Sequence, residues 1–65
     1  MTRTMSLYET RQFEHKEVRR IYYKYTSLSV EYEIAHRLGK ECDGDCFINI
    51  LDGDGFPVKS LEVPL

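Results

Sequence analysis

Sixty-five residues with 42% apolar content, eight aromatics and a net charge of −2 make one small domain, 1–65. A chain this short buries only about 60% of the surface its unfolded form exposes, which leaves little room beside the core for a substrate cavity of a few hundred cubic ångströms. The expectation is therefore a non-enzymatic protein without cofactor. No segment approaches membrane-spanning length, and the N-terminus lacks the 7–15-residue apolar stretch of a secretory signal. A cytoplasmic protein with reduced thiols is expected on that basis.

Charge is unevenly divided along the chain. Residues 1–25 carry six basic and three acidic groups, whereas residues 26–65 carry three basic and eight acidic groups. That asymmetry suits either two differently charged faces or head-to-tail self-association, and a marginal core would gain from a homo-oligomeric interface.

Met1 to Met5 shows no pattern and reads as a loose end. Ser6-x-x-Glu9 has the spacing of a capping box, in which each side chain satisfies an amide of the other residue. Glu9 to Lys24 is rich in Glu, Arg, Gln and Lys and contains no Gly, Pro, Asn or Asp, so the reading is a helix over about 7–24. At 100° per residue, Leu7, Val18, Ile21, Tyr22 and Tyr25 form its apolar sector. The rival reading makes Val18 to Thr26 a strand, because Val, Ile, Tyr and Thr favour extended backbone.

Leu28, Val30, Tyr32 and Ile34 alternate with Ser29, Glu31 and Glu33, the pattern of a strand with one wet face. A helix ending at Arg37-Leu38-Gly39 competes with that reading. Glu31 would then fall inside the apolar arc, and this favours the strand. Residues 37–45 form a loop, and Cys46 to Leu51 is a short apolar strand. Asp52-Gly53-Asp54-Gly55 is a hairpin turn whose residues tolerate positive φ. Phe56 to Val63 is a last strand, placed at a sheet edge because Pro57 and Pro64 cannot donate a ladder hydrogen bond. The expected fold is α+β, an N-terminal helix on a three-stranded antiparallel meander. The alternative is an all-β meander of four strands.

Three groups of residues invite a functional reading. The triplets Asp43-Gly44-Asp45 and Asp52-Gly53-Asp54 resemble hard-cation ligands, but the calcium-loop spacing fails: a glycine at Gly55 would put Ile50 and Leu61 in liganding positions. An extended segment between them also separates Asp45 and Asp52 by about 23 Å, so they read as turns. Cys42 and Cys46, with His36 or His15, could hold zinc, but the spacing does not supply two close ligand pairs. Metal is therefore not expected, and a disulfide within the loop would need an oxidising compartment.

The third group is the helix surface opposite the apolar sector, where Phe13, Lys16, Arg19, Arg20, Tyr23 and Lys24 fall together. Cations interleaved with aromatics suit a partner protein with an acidic surface. The same mixture suits nucleic acid as a second reading, although the net negative charge opposes it. A metal-stabilised Cys/His module is third. The function expected from sequence is a protein-binding accessory regulator or inhibitor.

Overall fold

The computed structural model describes residues 1–65. Its elements in chain order are strands β1 (Thr2–Arg11) and β2 (Glu14–Lys24), helix α1 (Leu28–Gly39), and strands β3 (Cys46–Leu51) and β4 (Pro57–Val63). The strands form one antiparallel sheet in the order β2-β1-β3-β4. β2 and β3 both run opposite to β1, on either side of it. They are therefore parallel to each other and need a crossover connection, which α1 supplies across one face of the sheet.

The α+β class expected from sequence is correct. The sheet has four strands rather than three, and it is not a meander. The helix lies at 28–39, not at 7–24, and the segment expected to be helical is instead the β1–β2 hairpin. In β1 the signal is the alternation of Met5 and Leu7 with Thr4, Ser6 and Tyr8. Met5 and Leu7 are fully buried, so the N-terminus is a central strand and not a loose end. Ser6 and Glu9 are strand residues and cap nothing. The good helix formers of β2 describe an exposed edge strand, where propensity yields to tertiary pairing.

α1 begins at Ser27, whose hydroxyl oxygen accepts from the Val30 amide at 3.2 Å while its carbonyl accepts from Glu31 N at 3.0 Å. It ends at Gly39, where close packing limits side-chain size: a Cβ built there would lie 3.2 Å from Val63 Cγ1. Glu31, Ala35, Leu38 and Gly39 face the sheet, a helical spacing hidden within the apparent alternation of 28–34. Twelve residues at a rise of about 1.5 Å give a helix of about 18 Å. This is close to the six-residue strand span, about 20 Å, from Arg3, which bonds Glu31, to the Glu9–Cys46–Val63 row beneath Gly39.

The core is correspondingly small: Met5, Leu7, Ala35, Leu38, Cys46, Ile48 and Ile50. Where α1 covers β1 and β2, the covered positions are Met5, Leu7 and Ile21. Beyond its end the same face presents Glu9, Arg11 and Lys16, which α1 does not cover. The hairpin tip projects past the helix with Phe13 fully exposed.

The loop expected at 37–45 is shorter, because α1 continues through Gly39, and the Asp52–Gly55 turn lies where expected. β3 is Cys46–Leu51 as expected, and β4 occupies the sheet edge opposite β2. Asp52 organises the hairpin between them. Its Oδ1 accepts from the amides of Asp54 and Phe56, each at 2.9 Å, and Gly55 takes φ 88°. That angle lies in the left-handed region that favours glycine.

Candidate functional site

One face of the sheet carries α1 and the other carries no helix. Strand alternation and the observed register assign Thr4, Ser6, Tyr8 and Thr10 of β1 to the open face. The same face receives His15, Glu17, Arg20, Tyr22 and Lys24 from β2, Phe47, Asn49 and Leu51 from β3, and Ser60 and Glu62 from β4. The register shift between Leu7 and Tyr8 inserts Val18 as an extra residue in β2. This bulge keeps Glu17 and Arg20, three positions apart, on the same side.

Tyr8 and Phe47 are directly opposed on the two central strands, with their rings stacked at 5.3 Å between centroids and 13° between planes. His15 meets the Phe47 ring edge-on at 5.1 Å, and its Nδ1 lies 3.2 Å from Thr10 Oγ1. Arg20 Nε donates to Glu17 Oε1 at 2.7 Å. This hydrogen bond is the leading reason that the Glu17 carboxyl titrates below its ordinary value and the Arg20 guanidinium above it. Tyr22, 69% exposed, stands beside them. The centre of the face is thus aromatic and uncharged, and its charges lie toward the two edges.

The residues drawn together on a sequence-predicted helix surface are separated by the strand. Arg20 and Lys24 lie on the open face, whereas Lys16, Arg19 and Tyr23 lie on the helix side and Phe13 is in the hairpin turn. Arg19 Nη1 bonds the Glu41 carboxylate at 2.8 Å, and Tyr23 donates its hydroxyl to Glu31. Successive positions turn by about 180° in a strand, not 100°, so a helical wheel groups the wrong side chains. A helix over 7–24 hides the strand position of Tyr8, and the unbroken apolar run Cys46–Leu51 hides that Phe47 faces away from Ile48. The legible signal was two runs of period two, Thr4-Ser6-Tyr8-Thr10 and Phe47-Asn49-Leu51.

On the helix side, Glu31 is buried at the junction of three strands and the helix. Its Oε2 accepts from Arg3 Nη1 at 2.8 Å and from the Tyr23 hydroxyl at 2.5 Å, and Lys59 Nζ lies 3.5 Å from Oε1. The Arg3 guanidinium rests 4.0 Å from the Tyr25 ring centroid, and Lys59 Nζ lies 5.3 Å from that of Tyr32. Burial works against ionisation of Glu31. The hydrogen bonds from Tyr23 and Arg3, with the charges of Arg3 and Lys59, outweigh it and hold the carboxyl below its usual value. Burial and the bond to Glu31 push the Tyr23 phenol upward.

Cys42 and Cys46 are bonded to each other, with Cα atoms 6.2 Å apart, within the reach of a disulfide. This corrects the expectation of reduced thiols. A four-residue separation brings the two sulfurs together because the chain reverses between the end of α1 and the start of β3. Neither sulfur offers a thiolate to a metal, and His36 lies on the exposed side of α1. No group of three or more His, Cys, Asp or Glu side chains is arranged to hold a metal ion, and no helix is long and apolar enough to cross a membrane. No family model, curated protein or solved structure matches this chain.

Proposed function

We propose that this chain is a small protein-binding module, an accessory regulator or inhibitor, whose contact surface is the open face of its sheet. The observation that carries the reading is the Tyr8–Phe47 stack at the centre of a helix-free face. Interface centres are enriched in Tyr and Phe and depleted in charge, with polar groups at the rim. Here Tyr22, Leu51 and Asn49 extend the contact area, while Arg20, Glu17, Lys24 and Glu62 supply a rim of mixed sign. Of the residues suggested by sequence, Arg20 and Lys24 belong to this surface. Phe13, Lys16, Arg19 and Tyr23 do not.

Nucleic acid is the second reading, because bases stack on aromatic rings presented by a sheet. It is opposed by the net charge of −2 and by the pairing of Arg20 with Glu17. The two readings separate in an affinity capture from host lysate, performed with and without nuclease and at two salt concentrations. The native chain should retain a protein through nuclease and moderate salt, and Phe47→Ala should lose it. Phe13→Ala, which alters only the hairpin tip, should behave as the native chain does. Capture that Phe47→Ala leaves unchanged would overturn the proposed face. Capture abolished by nuclease, with a steep salt dependence, would identify nucleic acid instead.

A further inference from the structure

We propose that the Cys42–Cys46 disulfide is a site of thiol–disulfide exchange with a dithiol reductant, and that its opening loosens the junction between α1 and the sheet. The inference stands apart from the binding face. It rests on where the two sulfurs sit and on what the short loop between them holds.

The cysteines differ sharply in access. Cys46 is 3% exposed and belongs to the core, whereas Cys42 is half-buried and outside it. Both cysteines line a surface depression of about 350 Å³ that reaches Lys16 and Glu41, and Cys42 alone also lines one of about 230 Å³ that reaches His36 and Val63. A reductant therefore meets Cys42 first. Its thiolate attacks Cys42 Sγ, the S–S bond breaks, and Cys46 leaves as a thiolate that takes a proton. The second thiol of the reductant then attacks the mixed disulfide, releasing Cys42 and closing the reductant's own disulfide. Two electrons and two protons pass from the dithiol to the cysteine pair.

The loop also joins several elements. Lys40, Glu41 and Cys42 donate their amides to Arg37, Leu38 and Gly39 carbonyls, extending the end of α1. Asp45 accepts from the Thr10 amide on β1, and Glu41 accepts from Arg19 on β2. The disulfide adds a covalent link from this loop to β3. It closes only a four-residue separation, so it constrains the unfolded chain much less than a long-range bridge would. Cys46 is the first residue of β3, paired with Glu9 and Val63, whereas the rest of the ladders and the Glu31 contacts lie away from the disulfide. Reduction should therefore act locally.

The surroundings bear on the identity of the reductant. Glu41, Asp43 and Asp45 flank the two cysteines, and the larger depression is lined by Glu9, Glu17, Glu41 and Asp43 against Arg11 and Lys16, which leaves it net acidic. Neighbouring carboxylates disfavour both an approaching anionic thiolate and a departing one. Among monothiols, the site should accordingly react faster with neutral 2-mercaptoethanol than with anionic glutathione at equal thiolate concentration.

The test is reduction of the native chain without denaturant, followed by maleimide trapping and mass analysis, with amide hydrogen exchange before and after. Dithiothreitol should yield two maleimide adducts while the far-ultraviolet circular dichroism is retained. Exchange at Lys40, Glu41 and Cys42 should accelerate at least tenfold, with Met5, Leu7 and Ile48 unchanged. Cys42→Ser, which keeps the core thiol of Cys46, should reproduce that exchange pattern without reductant. Adducts that form only at denaturant concentrations that unfold the chain would overturn the proposal. So would global unfolding on reduction, or exchange that reduction leaves unaltered.

Discussion

Glu31 is where a helix position that should be apolar receives a carboxylate, and its surroundings explain how the fold tolerates it. The side chain is fully buried, and a buried charge without partners would cost several kcal/mol. Arg3 from β1, Tyr23 from β2 and Lys59 from β4 converge on it, so the ion group ties the helix to three strands. The first turn of α1 adds favourable backbone dipoles. Glu31→Gln preserves the shape but gives up charge-assisted hydrogen bonds, and should cost about 2 kcal/mol near pH 7. The folded-state carboxyl is held below its ordinary value. Its contribution is therefore complete above the unfolded carboxylate range and is lost as pH falls through the lower folded value. Denaturant titrations of the native and Glu31→Gln chains should converge below about pH 4. A gap that stays constant across that range would show that Glu31 acts through packing alone. Tyr23→Phe removes one donor and should cost about 1 kcal/mol.

At the scale of elements, the same residue shows why part of the fold was not legible. A helix over 28–39 places Glu31 in its apolar arc, which disfavours a helix on sequence grounds, and Glu31 does lie there. Its partners are 28, 8 and 28 residues away in sequence, so no local pattern could reveal that the site was satisfied. Periodicity is reliable where neighbours in sequence decide the environment. It read Cys46–Leu51 and the Asp52–Gly55 turn correctly because an apolar run and an Asp/Gly turn carry their own signals. It failed in β2, where an exposed edge strand with charged side chains has the composition of a solvated helix. The open face was equally hidden, since opposing Tyr8 to Phe47 requires the register between β1 and β3. The helix start was also overlooked, although Ser27 fits the N-cap preference. Ser27→Ala removes the acceptor for the Val30 amide and should cost about 1 kcal/mol. In a thermal melt that loss should appear as a lower midpoint with the transition still cooperative. An unchanged midpoint would mean that packing, not capping, holds the first turn.

Across the whole molecule, the proposed function assigns stability to the helix-covered sheet face and recognition to the open one. Only ten residues are buried, and a domain of this size has a total stability of about 3–10 kcal/mol. Ile48 and Phe47 are adjacent on β3 but point to opposite faces, which allows the two roles to be separated by neighbouring substitutions. Ile48→Ala opens a cavity beneath α1 among Met5, Leu7, Ala35 and Leu38 and should cost about 3 kcal/mol. On so small a core that is a large share of the whole, and a measurable unfolded fraction should follow at 37 °C. Phe47→Ala removes a stacked ring from the open face, where no helix packs. It should cost about 1 kcal/mol and leave a cooperative melt, yet lose the captured partner. The opposite pattern, with Phe47→Ala unfolding the chain and Ile48→Ala sparing it, would mean that the buried face of the sheet is the one that carries Phe47. Equal losses from both substitutions would mean that the open face is itself covered in solution. A second copy of the chain would then be the first occupant to seek, by measuring the concentration dependence of the melting midpoint.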